Sequence, residues 1–243
     1  MKRLLITLPC FNEEQVLEKN VGTIFNYAQK ELGDYDWTIL IIDNASMDKT
    51  FEIAKKLNQQ NPRILIVQYI KKGRGAALKN IWQTHSGYDI YSYMDIDLAT
   101  DLSHFSDLIR KLDGGYNIAV GSRYVSGANA QRSFRRKFMS KVYNLLLKLF
   151  LKVDFKDAQC GFKAFDSKSI INILPQTFDS GWFWDTEFMI LAERGGYKII
   201  EIPVAWKEVR DEIRESKVSP FAEAFKQLKN IRLMRARLKD HLK

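Results

Sequence analysis

Residues 37–70, WTILIIDNASMDKTFEIAKKLNQQNPRILIVQYI, contain the pattern that decides the fold. WTILIID and RILIVQYI are apolar runs of the length expected for buried strands, and SMDKTFEIAKKLNQQ between them has helical spacing. A strand, a helix and a second strand in this order are typical of a parallel sheet covered by helices.

The same alternation extends in both directions along the chain. Before residue 37, RLLITLP predicts a strand and EEQVLEKNVGTIFNYAQKEL a helix. After residue 70, GRGAALKNIWQTH and LSHFSDLIRKL predict helices, while IYSYMDID and YNIAVGSR predict strands. We therefore predict an α/β fold, Rossmann-like, with a mostly parallel central sheet flanked by helices.

The second half of the chain is less regular. RRKFMSKVYNLLLKLFLKV is apolar and basic at once, an aromatic-rich stretch follows, and the tail from Pro220 has the pattern of a basic amphipathic helix. No Pro/Gly/Ser-rich linker separates the halves. We predict one domain over residues 1–217 and a basic amphipathic helix over 218–243, which either belongs to that domain or contacts a membrane surface.

The composition favours a cytoplasmic protein, soluble or peripheral to a membrane. Hydrophobic residues make up 46% of the chain, which is ample for a core. Cys10 and Cys160 are the only cysteines and lie far apart, which argues against a disulfide framework and a paired-cysteine zinc site. The apolar start MKRLLITLP is followed at once by CFNEE, so we interpret it as a strand and not as a signal peptide.

The net charge of +9 is concentrated in two stretches. Residues 132–152 contain seven basic and no acidic residues, and residues 221–243 contain seven basic and two acidic residues. Local basicity indicates a surface that meets phosphate or anionic lipid, although a solvated face would have the same composition. The motifs and interleaved aromatic residues of nucleic-acid binders are missing from the sequence, so we expect no nucleic-acid partner.

Polar residues follow the predicted strands at their carboxyl ends, where ligands bind to open α/β sheets. Asp95 and Asp97 in YSYMDIDLAT are the most informative. Alternation in a strand would place both carboxylates on one face, where they repel unless a cation lies between them. Mg²⁺ or Mn²⁺ bridging nucleotide phosphates would relieve this repulsion; acids that cap a strand in solvent are the alternative.

Seven motifs in order give a specific resemblance. LPCFNEE, IIDNASMDKT, KKGRGAALKN, MDIDLAT, VGSRY, DAQCGFKAF and WFWDTEFMILAERGGYKIIEIPVAW are similar to those of family-two glycosyltransferases with the GT-A fold. Within that group, residues 4–217 most resemble the polyprenyl-phosphate (dolichyl-phosphate) glucosyl- and mannosyltransferases. The resemblance implies metal-dependent, inverting transfer of a hexose from a nucleotide-diphosphate sugar to a polyprenyl phosphate at the inner face of the cytoplasmic membrane.

The resemblance also implies roles for particular residues. The catalytic residues would be Asp95, Asp97 and Asp185, with Asp97 and Asp95 at the metal. The donor nucleotide would be bound by Pro9, Asn12, Glu13, Asp43, Lys72, Gly73, Arg74, Asp95, Arg210 and Lys217. The acceptor phosphate would be bound by Arg123, Arg136 and Ser140. The sugar pocket would contain Asp157, Gln159, Lys163 and Trp184, although a core role is equally compatible with this tryptophan.

The sequence allows alternatives for several individual residues and for one segment. Ala99 stands where mannosyl members often have Gln, which favours UDP-glucose over GDP-mannose as donor. Arg210 and Arg214 compete for the diphosphate beside Lys217. Either Ser46 or Asp48 is expected to cap the helix that follows Asp43. The segment FMSKVYNLLLKLFLKV would be a helix at the membrane interface or a core helix with a solvated basic edge.

The sequence is also compatible with three other functions. The chain could transfer sugar to a non-lipid sugar acceptor or act as a sugar nucleotidyltransferase. A non-catalytic basic binding module is the third alternative.

Overall fold

The computed structural model describes residues 1–208 and 220–240, and it describes their side chains except at 135, 136, 220–225 and 240. The strands of this part of the chain are β1 (Lys2–Cys10), β2 (Tyr35–Asp43), β3 (Ile64–Gln68), β4 (Ile90–Met94), β5 (Ile118–Ser122), β6 (Asn129–Gln131), β7 (Phe162–Asp166), β8 (Ile199–Pro203) and β9 (Ala205–Lys207). The α-helices are α1 (Leu17–Glu31), α2 (Thr50–Gln60), α3 (Arg74–Thr84), α4 (Phe105–Asp113), α5 (Phe134–Leu151), α6 (Ser167–Ile173), α7 (Trp184–Arg194) and α8 (Pro220–Asp240), and short 3₁₀ helices span Leu102–His104 and Leu174–Gln176.

A seven-stranded sheet forms the centre of the protein, in the order β3-β2-β1-β4-β7-β5-β8. All neighbouring pairs are parallel except the two that β7 makes with β4 and β5. This confirms the prediction of a mostly parallel α/β sheet. The strand order reverses at β1, which has β2 on one side and β4 on the other. A crevice is expected at the carboxyl ends of such strands.

Amphipathic helices cover the sheet because their apolar residues recur at helical spacing. In α1 the buried residues are Leu17, Val21, Ile24 and Ala28. In α4 the buried apolar residues Phe105, Leu108, Ile109 and Leu112 have the same spacing. These helices fix the sheet, and through it the loops at the strand ends.

The antiparallel strand β7 was not predicted from the sequence. Its sequence FKAFD contains Lys163, which interrupts the apolar pattern, yet this lysine is buried with its neighbours. The buried charge is compatible with a central strand because Lys163 has hydrogen-bond partners inside the protein. By inserting β7 between β4 and β5, the chain separates these two strands, which sequence order alone would have paired.

Helices α5 and α8 pack against each other and against α7. Leu147 and Leu151 of α5 form an apolar cluster with Ile190 of α7 and with Ile231 and Met234 of α8. The predicted helix from Pro220 is therefore present and contacts the rest of the protein. Within the described ranges, no helix has both the length and the apolar content needed to cross a bilayer.

Candidate active site

The two predicted carboxylates lie in a turn beyond the end of β4. The backbone N–H of Leu98 donates to the carbonyl oxygen of Asp95 at 3.2 Å, and Leu98 has a φ of 52°. The carboxylate of Asp97 accepts a hydrogen bond from the N–H of Ala99 at 3.1 Å. The expectation that strand alternation places Asp95 and Asp97 on one face of a strand is therefore wrong. Strand β4 ends at Met94, and both residues belong to the tight turn that follows it.

Gly161 is essential to the position of Asp95, and the sequence interpretation assigned it no role. The N–H of Asp95 donates to the carbonyl oxygen of Gly161 at 3.0 Å. A Cβ atom on Gly161 would lie 2.0 Å from Oδ2 of Asp95, closer than any side chain allows. Only glycine lets the Asp95 carboxylate occupy this place.

Arg74 lies beside Asp95, with 3.1 Å between Nη2 and the Oδ1 atom of the carboxylate. Its side chain is 11% exposed and its guanidinium lies over the rings of Tyr93 and Trp182, at 4.9 and 5.2 Å from their centroids. Burial lowers the pKa of Arg74. The negative charges of Asp95 and Asp185 raise it by more than burial lowers it, so the pKa lies above its usual value. Arg74 is therefore a permanent cation that contacts a predicted metal ligand.

The glycine loop before α3 is shaped by protein packing. A Cβ on Gly73, whose φ is 140°, would lie 2.4 Å from the carbonyl oxygen of Ser180. A Cβ on Gly75 would lie 2.3 Å from the Cβ of Trp184. Both glycines thus allow the start of α3 to lie close to Ser180 and to Trp184 at the start of α7, which is a structural reason for a motif that we interpreted as phosphate-binding.

A buried ionic cluster lies inside the protein. Lys163 donates to the hydroxyl of Tyr93 at 2.9 Å and lies 3.3 Å from Asp185, which also accepts a hydrogen bond from Tyr93. Burial raises the pKa of Tyr93, and the neighbouring Asp185 raises it further. All three side chains are buried. The predicted catalytic residue Asp185 therefore lies inside the protein next to Tyr93 and Lys163, and not on the surface of the site.

Three of the four residues predicted at the sugar are also internal. Lys163 belongs to the cluster just described, Trp184 packs against Trp82, Tyr93 and Phe188, and Asp157 is 2% exposed. Direct contact between these side chains and a sugar is not supported by their burial. Gln159 is the one of the four that is partly exposed.

Arg123 is held by Asp157 through two hydrogen bonds of 2.7 Å each, from Nε and Nη2. Asp157 is fixed in turn, because its backbone N–H donates to Glu201 at 2.8 Å. The sequence placed Asp157 at the sugar, but the structure makes it the partner of Arg123. This long-range pairing has no signal in the local sequence.

A second arginine, Arg132, joins Arg123 on the ring of Trp206. The guanidinium carbons of Arg123 and Arg132 lie 5.8 and 5.0 Å from the Trp206 ring centroid. Arg132 donates to the hydroxyls of Tyr124 at 2.9 Å and Ser140 at 3.2 Å. We name Arg123, Arg132 and Trp206 the arginine cluster. Ser140 was predicted for this place, whereas Arg132 and Trp206 were missed.

Strand β9 ties the arginine cluster to the acidic loop. Trp206 forms an antiparallel bridge with Thr100, and the N–H of Lys207 donates to the carbonyl of Ala99 at 2.8 Å. The N–H of Asp101 donates back to the carbonyl of Ala205 at 2.9 Å. The carboxylates and the arginines are therefore neighbours at one edge of the sheet.

The ends of β1 and β2 form the other part of the crevice. Asn44 holds the loop before α3, because its side-chain amide donates to the carbonyl of Lys71 at 2.6 Å and accepts from the N–H of Gly73 at 3.1 Å. Asn12 accepts from the N–H of Met47 at 2.8 Å, and the N–H of Glu13 donates to Thr50 at 2.7 Å. These bonds organise the crevice before any ligand binds.

Two further residues predicted for the nucleotide lie nearby. Pro9 is half-buried near the end of β1, and Lys72 lies over the ring of Phe11 at 5.5 Å. Of the two candidate caps of α2, Asp48 accepts from the N–H of Thr50 at 3.0 Å, whereas Ser46 accepts from the N–H of Asn12.

Comparison with known proteins identifies the family. Residues 5–174 match the sequence profile described as Glycosyl transferase family 2. The chain belongs to this family. It is 34% identical over 208 residues to Glycosyltransferase AglD from Haloferax volcanii, a match that covers 85% of this chain and 33% of AglD. It is 31% identical over 215 residues to Dolichyl-phosphate beta-glucosyltransferase ALG5A from Trichomonas vaginalis, covering 85% of this chain and 66% of ALG5A.

A solved structure of similar fold is glucosyl-3-phosphoglycerate synthase from Mycobacterium tuberculosis, in complex with Mn²⁺, UDP and glucosyl-3-phosphoglycerate. The TM-score is 0.65 at 17% identity, and the match covers 96% of this chain and 78% of the synthase. At this identity the likeness shows the fold, which is the predicted GT-A fold. The matched part of the chain spans 33% of the length of AglD and 66% of the length of ALG5A.

Asp95 and Asp97 supply carboxylate oxygens, which are the ligands that Mg²⁺ and Mn²⁺ prefer. Among the described residues, no group of three or more His, Cys, Asp or Glu side chains could hold a metal ion by itself. Two carboxylates suffice for Mg²⁺ or Mn²⁺ when substrate phosphates and water complete the coordination. The close fit of Asp95 against Gly161 shows that this carboxylate is built into its position. These residues therefore fit the predicted metal.

Three predicted residues cannot be placed in the site. Arg210 and Lys217 lie outside the described residues, as does the competing Arg214, and the side chain of Arg136 is not described. Their roles at the diphosphate and at the acceptor phosphate stay predictions.

Proposed function

We propose that this chain is an inverting, metal-dependent hexosyltransferase that moves a sugar from a nucleoside-diphosphate donor to a polyprenyl or dolichyl phosphate. The bridge between Thr100 and Trp206 carries the proposal, because it brings a carboxylate loop suited to a metal–diphosphate next to arginines suited to an anionic acceptor. The name of ALG5A, a dolichyl-phosphate beta-glucosyltransferase, supports a lipid phosphate as the acceptor. UDP-glucose is the favoured donor and GDP-mannose the second.

Asp95 and Asp97 would hold Mg²⁺ or Mn²⁺, which when bound offsets the negative charge that builds up on the departing diphosphate. Arg74 adds a fixed positive charge beside Asp95. Asp185 and Lys163 form hydrogen bonds with the hydroxyl of Tyr93 and so hold its ring in place, and the guanidinium of Arg74 lies over that ring.

The acceptor needs binding but no general base. A phosphate monoester is already largely ionised near neutral pH, so no proton has to be removed before attack. Arg123, oriented by Asp157, and Arg132, oriented by Tyr124 and Ser140, would hold this anion near the donor. A phosphate oxygen then forms a bond to the anomeric carbon while the bond from that carbon to the nucleoside diphosphate breaks, with inversion.

Helix α5 would place the lipid tail at a membrane. Phe134, Phe138, Val142, Leu145 and Leu149 form an exposed apolar stripe at helical spacing, and Leu149 is 65% exposed. Lys137, Lys141 and Lys148 are exposed on the same helix. This combination is typical of helices that lie in the headgroup region of an anionic bilayer. We propose peripheral attachment to the inner face of the cytoplasmic membrane.

A transfer assay tests the proposal. Labelled UDP-glucose and GDP-mannose are incubated with the protein and a short polyprenyl phosphate, with Mg²⁺ or Mn²⁺ or with a chelator. We expect metal-dependent label in the organic phase, with release of nucleoside diphosphate. Label confined to water-soluble product would contradict the lipid acceptor. Release of pyrophosphate would instead indicate a nucleotidyltransferase.

A further inference from the structure

Asp43, at the carboxyl end of β2, has one carboxylate oxygen in use and one without a partner. Oδ2 accepts a hydrogen bond from the side-chain amide of Gln68 at 3.2 Å. Oδ1 is buried and has no hydrogen-bond partner among the described residues. A buried polar atom without a partner costs stability, so a ligand that brings a donor to Oδ1 would gain a hydrogen bond there.

Gln68 is fixed in place beside this carboxylate. It is the last residue of β3 and is in register with Asp43, and the N–H of Tyr69 donates to the carbonyl of Asp43 at 2.8 Å. Its side chain is exposed, unlike that of Asp43. A glutamine amide nitrogen carries two hydrogens, and only one of them is used by Asp43. A base bound at the carboxyl end of β2 would therefore meet an acceptor on Asp43 and a donor on Gln68.

The pair presents one hydrogen-bond acceptor next to one donor. Uracil matches this arrangement, because its imino N–H is flanked on both sides by carbonyl oxygens. Guanine has an imino N–H next to an amino group, and both need acceptors. Because the Gln68 amide already donates to Oδ2, the guanine amino group would have to share that oxygen with Gln68 or displace it, whereas the imino group of uracil needs only Oδ1. Adenine and cytosine have no imino N–H to offer.

We propose that Gln68 is the residue that makes this crevice select a uracil nucleotide over a guanine nucleotide. The inference rests on the proposed function, because it concerns the base of the nucleotide-sugar donor. Gln68 acts through Asp43, so it is a positioning residue that also offers a donor to the base carbonyl. A site that hydrogen-bonds its ligand rejects an analogue that leaves buried polar groups unpaired.

Calorimetric titration of the whole chain with UDP and with GDP, in the presence of Mn²⁺, tests the proposal. We expect the wild type to bind UDP at least about tenfold more tightly than GDP, the effect of one unpaired buried group. Gln68→Met keeps the side-chain length but has no donor, so the preference should fall by about tenfold through weaker UDP and tighter GDP binding. Gln68→Glu, which replaces the donor with an acceptor, should weaken UDP binding further.

Gln60→Met is the matched control, because Gln60 is an exposed glutamine at the end of α2, whereas Asp43 and Gln68 lie at the carboxyl ends of β2 and β3. It should leave both affinities unchanged. An equal or tighter affinity of the wild type for GDP, or an unchanged ratio in Gln68→Met, would overturn the role of Gln68 and leave a nucleotide-sugar donor intact. If neither nucleotide binds, the proposed function fails as well.

Discussion

At the scale of single residues, Gly161 makes the strictest demand on the chain. A Cβ at this position would overlap the carboxylate of Asp95, so Gly161→Ala must displace a predicted metal ligand. Because a displacement of about 1 Å at a reacting centre costs on the order of 100-fold in rate, we expect a loss of turnover of that size with the fold retained. Sugar transfer and circular dichroism measured on the same preparation check this.

Gly22→Ala provides the control for that substitution. No atom lies within 4 Å of the position where its Cβ would be, on helix α1. Its turnover should match that of the wild type. Full activity of Gly161→Ala would contradict the view that Asp95 must stay where the structure has it.

A substitution of Arg132 can distinguish binding of the acceptor from binding of the donor. Arg132→Ala removes the hydrogen bonds to Tyr124 and Ser140 and one of the two cations on Trp206. Since a hydrogen bond to a charged group is worth about 1.5–3 kcal/mol, we expect KM for the polyprenyl phosphate to rise by about 10- to 100-fold. KM for the nucleotide sugar should hardly change.

Arg132→Lys should recover part of the acceptor affinity, because it keeps the charge but not the planar fork. Arg110→Ala, which removes an exposed arginine of α4, serves as the control. An increase in the KM of the donor alone, measured by initial rates, would place Arg132 in the other half of the site.

At the scale of elements, helix α5 carries an exposed apolar stripe that we propose binds the membrane. The double substitution Leu145→Ser and Leu149→Ser removes two side chains from its exposed apolar stripe. Burying one such side chain is worth about 1.5–3 kcal/mol, so binding to vesicles with anionic lipid should weaken by about tenfold or more. Co-sedimentation with vesicles measures this.

Ile171→Ser is matched to those substitutions, because Ile171 is 68% exposed on helix α6, outside the stripe. Its vesicle binding should equal that of the wild type. Equal losses in both variants would mean that no particular face meets the lipid.

Helix α8 is held to the rest of the protein by Arg237. Its guanidinium lies 2.7 Å from the buried carboxylate of Glu187 and donates to the carbonyl of Gln176 at 2.6 Å. Among the described residues, Arg237→Ala leaves the carboxylate with its hydrogen bonds from the N–H groups of Phe178 and Asp179. Because Arg237 is partly exposed, we expect a loss of about 1–3 kcal/mol in the free energy of unfolding, measured with urea.

Arg235→Ala tests whether any arginine of α8 would have this effect. Arg235 is exposed, and its guanidinium carbon lies 5.6 Å from the centroid of the Phe150 ring. An exposed substitution of this kind should change stability by less than about 0.5 kcal/mol. A similar loss in both variants would contradict a specific role for the pair of Arg237 and Glu187.

At the scale of the whole molecule, the two thiols report on global opening. Cys10 and Cys160 are free and buried, and burial, followed by the charge of Asp157, raises the pKa of Cys160 to about 12. The folded thiol therefore stays protonated where the unfolded one ionises, so this contribution to stability is complete below pH 9.0 and is lost as the pH rises toward 12. Neither thiol should react with Ellman's reagent in native buffer, and both should react in denaturant.

Much of the molecule could be predicted because its strands are continuous apolar runs. Lys163 and Asp157 show where that approach ends, since both are charged and both are buried. The buried lysine hid β7, and the pairing of Asp157 with Arg123 joins residues 34 positions apart. Local patterns reveal which residues carry charge, whereas the fold decides whether that charge faces a ligand or another side chain.

The contact between Ser140 and Arg132 joins the first turns of α5 to the arginine cluster. If the exposed stripe of α5 lies in a bilayer, the acceptor would reach the cluster by lateral diffusion within the leaflet. Encounter then becomes two-dimensional, and the rate should follow the mole fraction of acceptor among the lipids. Diluting the vesicles at constant lipid composition would leave it unchanged, whereas adding inert phospholipid would slow it.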